Sequence, residues 1–364
     1  MRVTRRNSLV SILSIALIVV ACRPPVGGSV EPSASSIAGE LRPSKEISVT
    51  VHLPGAPDVL TAPLAYAAAS ETIAAAGITL NQVAPTAGEA PFPLVASESR
   101  LQLYIATPDA VLASATARES LVMIANLQQK TSMVLVTPAS GAATAADLSG
   151  TTILVQGIVG DEIPLLALLA REGAENVTAE FPADSSIPLD LTPLFDGTYA
   201  AAFLTRYDGL ARAQEFISLE SGLPTGPDGI NVIDLGETSG PHGLGIWMDQ
   251  TALAVEDLNI AAALILIGLT DGLAFCRDQP SDCAAVFEQG GETDRFGDSL
   301  AWSVDQFNAS IWPAPNGVLD VSSVAISGVT VNKTILERAI ANLPTSINRI
   351  GEGWTPSGIE LPLQ

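Results

Sequence analysis

The chain has 364 residues and carries 39 acidic against 17 basic side chains, a formal net charge of −22. So acidic a balance excludes a nucleic-acid backbone as partner and disfavours adsorption to an anionic lipid surface. Hydrophobic residues make up 47% of the chain and aromatics only 5%; Ala, Leu, Ile and Val therefore fill the cores, and the length exceeds one comfortable core and suggests two lobes.

Residues 1–21 place Arg2, Arg5 and Arg6 ahead of an apolar run that ends at Cys22. A charged region, a run shorter than the roughly 20 residues of a permanent span, and small residues at its end read as an export signal. Val19-Val20-Ala21-Cys22 resembles the lipobox of bacterial lipoproteins. That resemblance implies a diacylglyceryl group on Cys22, an extracytoplasmic location, and attachment to the cell membrane through lipid, since two or more acyl chains hold stably. Loss of residues 1–21 removes three basic and no acidic side chains, leaving −25. Residues 22–46 then comprise the lipidated cysteine and a Pro-, Ser- and Gly-rich flexible tether.

From residue 47 short β-branched runs alternate with Ala- and Leu-rich helical stretches: ISVTVHL, APLAYAAASETIAAAG, ITLNQV, then RLQLYIA, TPDAVLASATA and LVMIANL. A second series follows, with TTILV, DEIPLLALLAREG, NVTAEF, LTPLFDG and YAAAFL. Such alternation predicts an α/β fold with mostly parallel sheets covered by helices. From Thr251 the pattern is largely helical, and LNIAAALILIGLTDGLAF, interrupted by Gly268 and Asp271, reads as a buried core helix too short to span. The predicted organisation is residues 47–137 as the first part of lobe one, 138–243 as lobe two, 244–345 as the return to lobe one with C-terminal helices, and 346–364 as a tail. Ligands of such sheets bind outside the carboxyl ends of strands or between lobes.

Cys276 and Cys283 remain after export. An oxidising compartment makes a local disulfide around Pro280 the expectation, worth about 2–3 kcal/mol in the chain-entropy account. A metal site is not expected, because His52 and His242 stand alone and two cysteines offer too few ligands. No catalytic set or cofactor motif emerges, so the chain reads as a binding protein and not an enzyme.

Four constellations could serve a ligand. In VQGIVGDEIPLLALL a glycine-bearing turn leads into a helix at Asp161 and Glu162; these carboxylates either face a ligand or only complement the helix dipole. Asp109 follows a strand and a Thr-Pro turn, as ligand group or ordinary helix-start residue. Tyr207 and Asp208 follow another strand, and Tyr207 either stacks on a ring or packs. Trp302 and Trp312 lie near loop-shaping residues, as core or as ligand contacts. Positive charge is scarce in these segments, which favours a neutral or cationic ligand with N–H donors and a flat face over a phosphate, sulfonate or nitrate.

Blocks in order along residues 47–328 resemble the substrate-binding proteins of ABC importers in the thiamine-pyrimidine-precursor and riboflavin branch. They are LQLYIATPDAVLASATARESLVMIANLQQKTSMVLVT, DLSGTTILVQGIVGDEIPLLALLAREGAENVT, LTPLFDGTYAAAFLTRYDGLARAQEF and VDQFNASIWPAPNGVLD. The resemblance implies a two-lobed periplasmic-binding-protein fold of type II with a ligand cleft between lobes, hinged near 134–139 and 238–246. It nominates Tyr66, Asp109, Gln129, Asp161, Glu162, Tyr207 and Trp302 as cleft-facing, with Asp208 beside them. It further implies a monomer that hands a small heteroaromatic nutrient to an ABC permease. A sulfonate, nitrate or amine receptor of the same architecture, or a surface module that no longer transports, are the alternatives. Asp161 and Asp208-Gly209 stand where the family carries Asn and Asn-Glu.

Overall fold

The computed structural model describes residues 42–311, apart from 87–88, 95–96, 129–130, 186, 219–220, 236–242 and 290–296. The segments expected as export signal and tether, Cys22, Gln129, His242, Trp312 and the expected tail lie outside the described residues. In chain order the elements are β1 (Ile47–His52), α1 (Thr61–Ala68), α2 (Glu71–Ala75), β2 (Ile78–Val83), β3 (Arg100–Ala106), α3 (Pro108–Ala113), α4 (Ala115–Ser120) and β4 (Leu121–Asn126). These are followed by β5 (Met133–Pro138), β6 (Thr152–Val155), α5 (Ile163–Arg171), β7 (Thr178–Glu180), α6 (Thr192–Phe195), β8 (Ala201–Thr205), α7 (Gly209–Glu215) and β9 (Ile230–Asp234). The last four are β10 (Gly245–Asp249), α8 (Glu256–Asp278), α9 (Pro280–Gln289) and α10 (Gly297–Ile311).

Ile47, Val49 and Val51 alternate inward along β1 and are buried, as period-two β-branched residues dictate for a strand with one face on a core. Around β1 forms a sheet of order β2-β1-β3-β10-β4, with β1 parallel to β2 and β3, and β10 antiparallel to its neighbours. The second sheet repeats the plan as β7-β6-β8-β5-β9, with β6 parallel to β7 and β8, and β5 antiparallel to β8 and β9. Each sheet thus has four strands running one way and a single antiparallel strand, β10 or β5, second from one edge.

Two expectations shift here. Leu135 pairs with Phe203 and Ile233, so all of β5 belongs to the second sheet. The chain changes sheets at 127–132, ahead of the 137/138 boundary and the 134–139 hinge expected from sequence. The apolar helix is also longer than its pattern suggested: α8 has 23 residues, enough by length and composition to cross a bilayer, but 61% of its most apolar window is buried in the protein. It is a core helix. Gly268, read as an interruption, and Gly272 are where α1 lies against it; a Cβ on Gly272 would strike the backbone of Pro63, so only glycine permits this approach.

Cys276 and Cys283 are bonded, both buried, and tie the end of α8 to α9. The bridge clamps a helix corner, since Pro280 starts α9 instead of sitting in a loop. Replacing both cysteines with alanine is expected to cost about 2–3 kcal/mol, a melting temperature lower by roughly 4–12 °C. Thermal denaturation of the pair-deleted and native proteins checks this; equal midpoints would show that the bridge does not restrict the unfolded chain.

Candidate functional site

The carboxyl ends of the parallel strands in both sheets face a common cavity. Pro54, Gly55, Ala56 and Asp58 follow β1, Thr107 follows β3, Gln156 and Asp161 follow β6, Pro182, Ser185 and Ile187 follow β7, and Tyr207 and Asp208 follow β8. Gln128, Ser132 and Leu244, on the passages between sheets, complete the wall. The cavity opens to solvent, and the empty space within it, its solvent-facing part included, is about 710 Å³. Strand ends expose backbone and loop side chains where the sheet stops, which places the cavity there.

Thr107 precedes Pro108 at the start of α3, and its hydroxyl accepts the Ala110 N–H at 3.2 Å. The same hydroxyl donates to Asp161 Oδ1 at 2.6 Å, so a helix cap of one lobe is bonded to a carboxylate of the other. Asp161 Oδ2 accepts the Ile158 N–H at 2.8 Å, and Glu162 accepts the Gly160 N–H at 2.6 Å. Both carboxylates fold back onto their own turn, and Glu162 makes no side-chain bond as the cap of α5; capping therefore does not account for them. Burial pushes the Asp161 carboxyl up to about 6, against its two hydrogen bonds, and the charges of Asp109 and Glu162 add to the rise. Burial also raises Glu162. Gly160 packs directly on α3: its φ is +108°, and a Cβ would lie 2.5 Å from Ala110 Cα and 2.8 Å from the Asp109 oxygen.

On the second-lobe side Gln156 accepts from the Thr205 N–H at 2.9 Å and donates to Asp208 Oδ2 at 3.2 Å. Asp208 Oδ1 accepts from Arg212 Nε at 3.0 Å, with both side chains largely buried. Arg206, which lies between two wall residues in sequence, is paired with Asp234, and Arg212 with Asp208. Among the described residues that line the cavity none is Lys, Arg or His. Tyr207 is 1% exposed and meets Phe307 of α10 edge-on at 5.1 Å. Burial holds its phenol far above 10, with the Asp58 and Asp208 charges adding, while a hydrogen bond with Ser132 opposes. The hydroxyl is therefore neutral at any physiological pH.

The structure brings Asp161, Tyr207 and Asp208 to the cavity and sets Asp109 and Glu162 just behind Asp161. It corrects two expectations. Tyr66 is 39% exposed on α1 and stacks on Phe275 at 4.7 Å, because the buried face of α1 is taken by Ala62, Pro63, Leu64 and Ala67. Trp302 packs on the second-lobe core among Leu194, Leu204 and Leu210. Neither residue lines the cavity. Thr107, Gln128, Ser132 and Gln156 are cavity residues that sequence reasoning passed over. Each is a small or amide side chain at a strand end, and that position, not residue type, is the signal that finds them.

A sequence-family profile described as NMT1/THI5 like matches residues 61–208. No curated protein sequence matches the chain. Among solved structures, the alkanesulfonate-binding protein SsuA from Xanthomonas axonopodis pv. citri, bound to MOPS, has a TM-score of 0.55 at 15% identity, covering 72% of this chain and 85% of that one. A protein from Bordetella bronchiseptica gives 0.57 at 15% identity, covering 86% and 91%. A Candida albicans gene product with the generic periplasmic binding protein fold gives 0.52 at 14% identity, covering 82% and 96%. Two sheets of repeated plan, crossed strands and a cavity between them agree with these likenesses: the chain has the periplasmic binding protein fold.

Proposed function

We propose that the protein is the solute-binding receptor of an ABC importer, exported, held at the cell membrane by lipid on Cys22, and acting as a monomer. Its ligand in this reading is a small heteroaromatic nutrient, riboflavin or a thiamine-precursor pyrimidine, which it passes to a permease. Its role is binding without chemistry. The observation that carries the reading is the cavity wall, where Asp58, Asp161 and Asp208 stand among amides and hydroxyls with no basic side chain among the described lining residues. Carboxylates accept hydrogen bonds, so the wall suits N–H donors or positive charge. A sulfonate or nitrate offers only acceptors and would face carboxylates without a partner.

Within this reading Asp161 and Gln156 contact the ligand, Asp109 and Glu162 act through Asp161, and Tyr207 forms a neutral floor. Closing of the lobes buries the ligand and presents a surface to the permease. Fluorescence titration of riboflavin with residues 23–364 tests it, with thiamine, its pyrimidine precursor and MOPS as competitors. Quenching at micromolar or tighter affinity, displaced by the pyrimidines and not by MOPS, is the expected result. Binding of MOPS alone would overturn the ligand class.

A further inference from the structure

Gln128 stands two residues past β4, where the chain leaves the first sheet, and is 2% exposed. Its Oε1 accepts the Leu244 N–H at 3.1 Å and the Ser132 hydroxyl at 3.4 Å. An amide NH₂ cannot accept from a backbone N–H, so the Leu244 bond fixes which way the side chain points. Nε2 is thereby a donor, buried, with no partner among the described residues. A buried donor left unmade costs about 1–3 kcal/mol. Gln128 nevertheless lines the cavity, where a bound molecule is placed to supply the missing acceptor.

Asp161 makes the complementary demand. Its oxygens hold one hydrogen bond each from the protein, and a carboxylate has roughly four lone-pair sites, so it retains capacity for a donor. Resting on the solute-binding reading above, we propose that the ligand offers an acceptor to Gln128 Nε2 and an N–H donor to Asp161, and so belongs to the mixed donor–acceptor heterocycles: lactams, imides and aminopyrimidines. Aliphatic diamines and guanidines, which only donate, and alkanesulfonates, which only accept, each leave one of these two groups unmatched. The specificity of the cleft then resides in the buried amide of Gln128.

Isothermal titration calorimetry of residues 23–364 with riboflavin and thiamine, putrescine and hexanesulfonate tests this. The expected result is binding of at least one mixed-edge probe at least tenfold more tightly than either single-character probe. Gln128→Glu keeps an acceptor for the Leu244 N–H while removing the donor, and Gln128→Met removes the donor without adding charge. Both are expected to weaken the mixed-edge probe at least tenfold, with circular dichroism confirming the fold. Undiminished binding in Gln128→Glu and Gln128→Met, with the wild type binding, overturns this inference and leaves the receptor reading standing. Putrescine or hexanesulfonate binding as tightly as the mixed probes also overturns it. No binding of any of the four to the wild type overturns the inference and the receptor reading together.

Discussion

Gly160→Ala is expected to hold the lobes apart. Gly160 belongs to the second-lobe turn after β6, and at its φ of +108° a Cβ would press into the backbone of Ala110 and Asp109 on the first lobe. Backbone atoms at a helix start cannot swing aside as a side-chain tip does, so the clash is relieved only by moving one lobe. This clash disfavours the closed arrangement by roughly 1–3 kcal/mol, while backbone strain in a region that L side chains avoid, about 1–3 kcal/mol, lowers stability with the lobes open or closed. Affinity for a ligand bound between closed lobes then falls by roughly 5- to 150-fold. Small-angle scattering should show a larger radius of gyration for the variant. Gly150→Ala is the control: its φ is +72°, yet nothing lies within 4 Å of the added carbon. It should lower stability modestly and leave affinity and radius unchanged. Equal affinity in Gly160→Ala would mean that the Gly160 contact plays no part in closure.

The two halves of the fold were readable because β-branched strands and Ala/Leu helices alternate with different periods, and those periods follow from backbone geometry. The cavity position followed from the rule that strand carboxyl ends face the ligand. What sequence did not settle was which side of an element a residue faces. Tyr66 lies on the outer side of α1 because small residues are needed inside, where Gly268 and Gly272 of α8 approach. Trp302 was read as a cleft aromatic, but α10 carries it onto the second-lobe core. Gly268 of α8 looked like a break because its use depends on a helix some 200 residues earlier in the chain. Asp109 drew attention by its charge, while the residue that crosses between lobes is the plain cap Thr107, whose partner lies 54 positions away. Long-range pairings of this kind leave no local periodicity to read.

Asp161→Asn is expected to stabilise the protein and weaken ligand binding together, in a manner that depends on pH. The Asp161 carboxyl sits at about 6 in the folded chain against an ordinary 3.8. Between those values the folded state holds a proton that the unfolded state has lost, so stability declines as pH rises through the window and levels off above it. The difference corresponds to about 3 kcal/mol, an order-of-magnitude figure. Asparagine carries no charge to bury and keeps one oxygen for the Thr107 hydroxyl, but it leaves the Ile158 N–H without an acceptor, at a cost of about 1 kcal/mol. The net gain at pH 8 is about 2 kcal/mol, a melting temperature higher by roughly 4–8 °C. At pH 4 the native carboxyl is already protonated in the folded protein, so the gain vanishes and the lost hydrogen bond leaves the variant level with or below the wild type. Melting curves at the two pH values check the crossover; a difference constant from pH 4 to 8 would show that Asp161 does not carry its charge in a buried setting. A gain in stability with a loss of affinity would mean that this carboxylate is kept against the interest of the fold, and ligand recognition is the reason the site gives for keeping it.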